Sequence, residues 1–513
     1  MPTEKTANRR GSGEATERES LTHLTKVTLA AFSMFALTAC GVLKVGPDYE
    51  EVEASVPDTW HQTATEGISD GSANLSSWWD VFEDPVLEDL IKQATVGNKD
   101  LQQAYTRILE ARAGRGIATG EQFPDLDAEG SAERTRFSEG VIRETAPPQK
   151  RVDNFYSLGL DATWEVDVFG RIARNIESAD ASLGATIEDY RDVLVILYGE
   201  VAANYIEVRA LQARIAFAVA NVEAQSGTLQ LTRDRLAAEI SPELDVRQAE
   251  LNLATTEAFV PQLEQAKVQG INRLGVLLGQ PPSALHQILE VGSPIPRPPE
   301  AVAVGLPSEL LRQRPDIRSA ERQVAAQHAQ IGVATADLYP RFSLSGSFAF
   351  ATASNGIFSS GNHTWTFGPA VSWNIFDGGR VRNNVILQDS LTKELVFNYE
   401  QTVLEALEEV ESSMVAYKQE QIRRDALERS VIAAEQSVEL VKQLYISGLT
   451  DFQNVLDMET RLFEQQDDLA QSAGLVSQNL VSLYRALGGG WQPDPEQLEE
   501  EIQDQEENGE PLF

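Results

Sequence analysis

Trp164-Glu-Val-Asp-Val-Phe-Gly-Arg171 and Trp373-Asn-Ile-Phe-Asp-Gly-Gly-Arg380 are two versions of one pattern, 209 positions apart. The same separation recurs downstream: Val246 and Glu250 match Val455 and Glu459, and Leu278-Gly279 matches Leu487-Gly488. Upstream, Phe123-Pro124 matches Tyr339-Pro340 at a separation of 216, so the loops between differ in length. A period this long is no solenoid unit. It implies one duplication of a whole module. Each copy reads as a helix (about 85–122 and 308–338), two strands, a very long helix (170–238 and 378–447), a turn and a final helix (243–278 and 452–487).

The long helices carry heptad spacing. Tyr190, Leu194, Leu197, Val201, Asn204, Val208, Leu211, Ile215, Ala218 and Val222 step by four and three, with Asn204 the one polar interruption. Val403, Leu407, Val410, Met414 and Tyr417 repeat the spacing, as do Leu427, Val431, Ala434, Val438, Val441 and Tyr445. Such seams pack helices side by side as coiled coils. At 1.5 Å per residue, about 70 residues make a helix roughly 100 Å long. The two shorter helices of each copy together match that length, so stacked end to end they predict a second column beside it. The Pro-rich insert 281–307 and both chain ends would then collect at mid-height.

The strands alternate. Phe342, Leu344, Phe348 and Phe350 face one way, and Ser343, Ser345, Ser347 and Ala349 the other. Trp365-Thr-Phe-Gly-Pro-Ala-Val-Ser-Trp373 continues this with an aromatic at each end, and Tyr156, Leu158, Leu160, Ala162, Trp164 and Val166 do likewise. In the first strand Asp125, Asp127, Glu129, Ser131 and Glu133 form the polar set. Alternation over about ten residues with flanking aromatics is a membrane β signature, and Trp164, Phe342, Phe350, Trp365 and Trp373 are its candidate girdle. A soluble sheet with one wet face gives the same pattern strand by strand. Four strands cannot close a barrel, and lipid tolerates no open sheet edge. A membrane role therefore demands an oligomer, and three copies supply twelve strands.

The 513 residues include 78 acidic against 42 basic, a formal charge of -36. That balance argues against a nucleic-acid partner, which needs a basic face. The five histidines are scattered, Cys40 is the only cysteine, and neither a nucleophile elbow, a zinc-protease helix nor a P-loop is present. No enzyme, cofactor or metal is expected. Residues 27–37 are apolar but too short to span a bilayer, and suit a signal-peptide core. They run into Leu37-Thr-Ala-Cys40, which resembles a bacterial lipobox. Cys40 would carry the acyl chains, and Gly41 in place of aspartate points to the outer membrane. The expected organisation is 1–39 signal peptide, 40–84 lipidated N-terminal segment, 85–280 first repeat, 281–307 equatorial insert, 308–490 second repeat and 491–513 acidic tail.

Three motifs carry a family resemblance. Val45-Gly-Pro-Asp-Tyr49, with Pro57 and Trp60 after it, resembles the opening of outer-membrane lipoproteins of tripartite efflux systems. Asn154-Phe-Tyr through Trp164 to Arg171 looks like their second-strand motif. Leu311-Arg-Gln-Arg-Pro-Asp-Ile-Arg-Ser-Ala-Glu-Arg322 is similar to their inter-repeat signature. Over about residues 45–491 the chain resembles the TolC/OprM-like outer membrane factor family, in its NodT-like lipoprotein branch.

The resemblance implies a mainly α fold: a long coiled-coil α-barrel plus four β-strands per chain, the homotrimer forming a 12-stranded β-barrel in outer-membrane lipid. It implies a passive efflux duct partnered by a periplasmic adaptor and an inner-membrane pump of the resistance-nodulation-division class. A type I secretion duct, or a non-conducting trimeric coiled-coil envelope protein, are the alternatives. It also implies a gate at the periplasmic helix tips. There Asp457 matches the gate aspartate, Asn454 stands where TolC has a second one, Tyr445 matches a tyrosine that holds the closed state, and Asp245 matches the first-copy tip aspartate. The alternative for each acid is a solvated residue near a helix start, where carboxylates favour the helix dipole, and Asp457, several residues into its helix, fits that less well than Asp245. Gly448 ends the second long helix, but its counterpart is Glu239. The first tip is therefore expected to turn differently, with Pro242 opening the next helix, and the second copy to carry the gate.

Overall fold

The computed structural model describes residues 44–61, 68–69, 75–136, 138, 152–299, 302–353 and 356–492. Cys40, the expected signal segment 1–39 and nearly all of the acidic tail lie outside them. The main helices are α1 (Pro85–Gly97), α2 (Lys99–Gly120), α3 (Arg171–Ala237), α4 (Glu243–Leu277), α5 (Pro315–Ala336), α6 (Arg380–Ile446) and α7 (Phe452–Ala486). The main strands are β1 (Asp125–Arg136), β2 (Val152–Val166), β3 (Arg341–Thr352) and β4 (His363–Ser372).

The duplication holds to the residue. Helices α3 and α6 both have 67 residues, and α4 and α7 both have 35, each pair offset by 209. Helices α2 and α5 have 22 each, and β1 and β3 have 12 each, offset by 216. Helices α4 and α7 also end alike. Gly279 (φ +67) and Gly488 (φ +74) sit in the left-handed region, where a residue with a Cβ is strained.

The first helix of each copy departs from expectation by breaking. In copy one the chain turns extended at Asn98, whose side chain accepts from Leu101 N–H (2.8 Å) and donates to Leu277 O (2.8 Å). Asn98 thus caps α2 and ties it to the end of α4. In copy two the break falls at Arg314, which is extended (φ -84, ψ 119). The ring of Pro315 disfavours a helical residue before it, and its fixed φ suits the first position of α5.

The chain divides into two compact units, one from residues up to Glu51, Ala111–Leu183 and Gln323–Leu395, the other from Val52–Glu110, Gly184–Arg322 and Val396 onward. The first holds the sheet, an antiparallel meander in the order β1-β2-β3-β4, with β2 and β3 joining the two copies. Register confirms the two faces. Leu158 lies opposite Phe350, and Phe348 opposite Trp365, on the apolar side. Asp127 lies opposite Asp161, and Ser131 opposite Ser157, on the polar side. Hydroxyl pairs cross that side, Ser131 with Ser157 (2.8 Å) and Ser347 with Thr366 (2.6 Å). No described helix is long and apolar enough to cross a membrane.

The same unit explains the Val45–Tyr49 motif. Val45 N–H donates to Phe169 O (3.2 Å), and the buried Arg174 guanidinium holds Asp48 (2.7 Å) and Glu177 (2.9 Å). Gly46 (φ +86) packs on Gly332, where a Cβ would meet Gly332 Cα at 2.7 Å.

In the second unit the heptad seam of α3 is buried at Leu197, Val201, Val208, Leu211 and Ala218, as the spacing predicts. Between residues 197 and 211, however, the helix is covered on more than one face: Ala202, Tyr205, Ile206 and Arg209 are buried too. The cover is other parts of the chain. Trp79 packs edge-on to Tyr198, Asp84 accepts from Tyr205 Oη (2.7 Å), and Arg209 donates to Val291 O (2.8 Å). The insert also accepts from Trp60 Nε1 at Gly305 O (3.0 Å) and from Ser477 at Pro296 O (2.6 Å).

The inter-repeat motif works here as an electrostatic clamp. Arg314 bridges Asp316 (2.7 Å), Glu409 (2.8 Å) and Ala486 O (2.7 Å). Burial alone would lower its pKa, but those carboxylates raise it overall. Asp192 nearby is pushed up to about 6, by burial first and then by the Asp316 carboxylate, with Arg314 opposing.

Candidate functional site

The tips are the two turns, 238–242 between α3 and α4 and 447–451 between α6 and α7. Contrary to expectation they share one geometry. Glu239 takes φ +57 where Gly448 takes +70. Ile240 N–H returns to Arg235 O and Glu239 N–H to Leu236 O, both at 2.9 Å. Leu449 N–H returns to Leu444 O (2.9 Å) and Gly448 N–H to Tyr445 O (3.0 Å) in the same pattern. Both are Schellman turns. Glu239 therefore accepts a left-handed strain of about 1–2 kcal/mol that glycine avoids. Pro242 is not the first helical residue but the N-cap of α4, as Asp451 is of α7, and neither makes a side-chain cap.

Tyr445 joins the two tips. It is 4% exposed, within a cluster of Leu229, Val246, Ala249, Phe452 and Val455. Its Oη donates to Asp245 Oδ2 (3.0 Å) and lies 3.1 Å from Ser241 Oγ. The Arg235 guanidinium sits 4.6 Å from the ring centroid, donates to Ser241 Oγ (3.1 Å) and reaches Ile446 O (3.1 Å). Burial, with Asp245 beside it, pushes the Tyr445 phenol above its usual range, so it stays a donor at neutral pH. The sequence reading named Tyr445 and Asp245 but missed Arg235 and Ser241. Leu444 stands at the position equivalent to Arg235, so comparing copies offers no signal for it.

Asp457 and Asn454 belong to a different surface. Both are exposed. Asp457 Oδ1 accepts from Gln453 (2.8 Å), and Asn454 donates to Thr450 Oγ1 (2.8 Å). Asp457 borders an open groove of about 870 Å³ between α4, α6 and α7, with Asn252, Ser437 and Arg461 among its walls. The named residues thus fall into an internal tie, Tyr445 with Asp245, and an exposed acidic position. The tie uses both copies, not the second alone.

The repeat also carries an ion pair between long and return helices. Arg233 meets Glu250 (2.9 Å) in copy one, and Lys442 meets Glu459 (2.8 Å) in copy two. In the second pair Glu459 is buried and Lys442 half-buried, and Thr228 of α3 also donates to Glu459 (2.5 Å).

At the sheet, the Trp164 and Trp373 indoles make matching bonds. They donate to Gln122 O (2.9 Å) and Leu338 O (3.1 Å), each two residues past the end of the helix that precedes the hairpin. Phe342 lies opposite Val371 at that end, and Phe350 and Trp365 lie toward the other. The candidate girdle is thereby split between the two ends of the strands.

The family profile described as "Outer membrane efflux protein" matches residues 90–280 and 306–489. Nodulation protein T of Rhizobium leguminosarum bv. trifolii is 32% identical over 470 residues, spanning 91% of this chain and 98% of that one. The toluene efflux pump outer membrane protein TtgI of Pseudomonas putida is 32% identical over 464 residues, spanning 89% and 97%. The solved structure of the outer-membrane channel OprN superposes with TM-score 0.81 at 37% identity, covering 88% of this chain and all of that one.

Proposed function

Because the chain belongs to the outer membrane efflux protein family, we propose that it is the trimeric exit duct of a tripartite efflux system. It passively conducts small molecules delivered by an inner-membrane pump through a periplasmic adaptor, and performs no chemistry itself. The observation that carries this reading is the four-stranded sheet. Its apolar face, polar face and two unpaired edges suit a third of a closed membrane barrel and suit nothing stable in lipid alone. The polar, acid-rich face would line the water-filled lumen. The purified protein in planar bilayers is expected to give discrete cation-preferring conductance steps. A pure oligomer that inserts without conducting would defeat the duct.

The gate is the pair of tips. Tyr445, Asp245, Arg235 and Ser241 hold each protomer's tips together in the closed state, with Gly448, Glu239 and Pro242 setting the turns. Exposed Asp457 residues from three protomers would ring the constriction, with Asn454 adjacent. Close carboxylates attract cations and raise one another's pKa. Cys40 carries the lipid that tethers the mature chain to the outer membrane. Labelled palmitate should be incorporated by the natural chain and lost in Cys40→Ser; retained label would show the anchor to be elsewhere.

A further inference from the structure

The helical hairpins α3–α4 and α6–α7 meet along a seam that changes character with distance from the tips. At the level of Leu211 and Ala218 it is apolar. Those residues and Leu263 of α4 form a cluster against which Phe463 of α7 packs, edge-on to Phe259. Arg214 also holds Asp467 there through two bonds (2.8 and 3.0 Å). At the tips the seam is apolar again, in the cluster around Tyr445.

Between these two levels α3 buries four polar residues at heptad spacing, Asn221, Gln225, Thr228 and Thr232, all under 8% exposed. Asn221 donates to Gln466 Oε1 (2.7 Å), and Gln466 donates in turn to Glu435 of α6 (3.2 Å). Thr228 donates to Glu459, and Thr232 to Leu229 O of its own helix (2.8 Å). Helix α4 meets α7 in the same polar manner, Thr460 donating to Asn252 Oδ1 (3.3 Å) and Gln248 to Gln453 Oε1 (3.2 Å). Gln225 is left over. It is 2% exposed, and neither its Nε2 nor its Oε1 has a hydrogen-bond partner. The repeat does not demand this chemistry, since Ser430, Ala434, Ser437 and Val441 stand 209 positions on.

We propose that the hairpins part over this polar stretch when the tips separate, that the parting stops at the Phe259–Phe463 and Arg214–Asp467 contacts, and that Gln225 lowers the cost of parting. This rests on the tip gate above and adds where the moving part ends and which residue tunes it. An apolar seam resists opening in proportion to the surface it would wet. Polar side chains instead exchange one set of hydrogen bonds for another with water, at little net cost. Gln225 goes further, because its amide is unbonded when buried and bonded when wet. Closure then depends on the tip cluster and the Tyr445 tie more than on the stretch above them. Residues 221–232 cover about 16 Å of helix, so the parting reaches well above the turns. A buried amide can also serve to fix helix register. Asn221, bonded to Gln466, suits that role, and unbonded Gln225 does not.

Thiol labelling of the full chain tests it. Thr228→Cys, Thr232→Cys and Ala218→Cys are each treated with a charged methanethiosulfonate reagent, beside the parent chain, which reads any reaction at Cys40. Labelling in denaturant confirms that each new thiol is reactive. With Tyr445 intact all three should label slowly. Adding Tyr445→Phe should raise the rates at 228 and 232 about tenfold, in step with the open fraction, and leave 218 unchanged. Adding Gln225→Met, close to glutamine in size, should remove most of that gain and lower the open fraction with it. Equal labelling at 218 overturns the stop at Arg214–Asp467. Slow labelling at 228 and 232 while Tyr445→Phe still raises conductance overturns the parting of this seam. A gain untouched by Gln225→Met, even where the denaturant midpoint changes, overturns the role of Gln225 and leaves it a packing residue. If Tyr445→Phe changes neither labelling nor conductance, the tip gate itself fails and this inference with it.

Discussion

Tyr445→Phe should raise the open fraction of the reconstituted channel by about tenfold or more. The substitution removes one hydroxyl and leaves the ring in place against Phe452 and under Arg235. What is lost is the bond to the Asp245 carboxylate and the contact with Ser241. A hydrogen bond to a charged group contributes about 1.5–3 kcal/mol. Every 1.4 kcal/mol is a factor of ten in an equilibrium. In the proposed gate the bond is made only while the two tips are together, so its loss is expected to weight the balance toward opening. Three protomers carry it, and if they open together the effect compounds. Asp245→Asn should act in the same direction and more weakly, since the amide oxygen still accepts the phenol proton. Single-channel recording at neutral pH reads both variants. An open fraction and conductance unchanged by Tyr445→Phe would remove this tie from the gate.

Arg314→Met should lower the stability of the folded chain by about 3 kcal/mol, the lower end of the range for breaking a buried pair, because Asp316 and Glu409 keep partial contact with solvent. Methionine fills most of the aliphatic volume but leaves Asp316, Glu409 and the Ala486 carbonyl without their shared cation. The loss should depend on pH. Asp192 already has a folded pKa pushed up to about 6 against an ordinary 3.8. A carboxyl with a raised folded pKa penalises the folded state above that pKa. The penalty fades as pH falls through it and is gone below the unfolded value. Without Arg314 the Asp192 pKa rises further, so the variant should be most compromised near pH 7.5 and recover toward pH 5. Asp192→Asn added to Arg314→Met should restore more of the loss at pH 7.5 than at pH 5. Denaturant midpoints of the detergent-solubilised protein at the two pH values check this. A loss equal at both would mean that Arg314 acts by packing alone.

The copies differ in sequence at their tips, Glu239 standing where the second has Gly448. The turn at Glu239 shows why their common backbone is hard to read from sequence. Glycine at 448 announces a left-handed residue, and glutamate at 239 argues against one. The backbone nevertheless closes the same two bonds, because the ends of α3 and α6 must hand over to return helices packed in the same way. Tertiary packing overrides a local preference of one or two kcal/mol.

Much of the rest was legible. Constant offsets, period-two strands and heptad spacing are properties of neighbours in sequence. They determined the duplication, the outer helix boundaries to within about two residues at most ends, the two faces of the sheet and the glycine, Gly448, that ends the second long helix. The tertiary structure decided what depends on residues far apart. Tyr445 meets Asp245 across 200 positions. Arg235 and Ser241 enter the same tie with no repeat to betray them. The first helix breaks at Asn98 because a carbonyl of α4 waits there. A stretch of α3 expected to bury one seam is covered on several sides, because the chain before α1 and the insert fold onto it. Periodicity tells which face of an element seeks burial. Only the arrangement of elements tells what it is buried against.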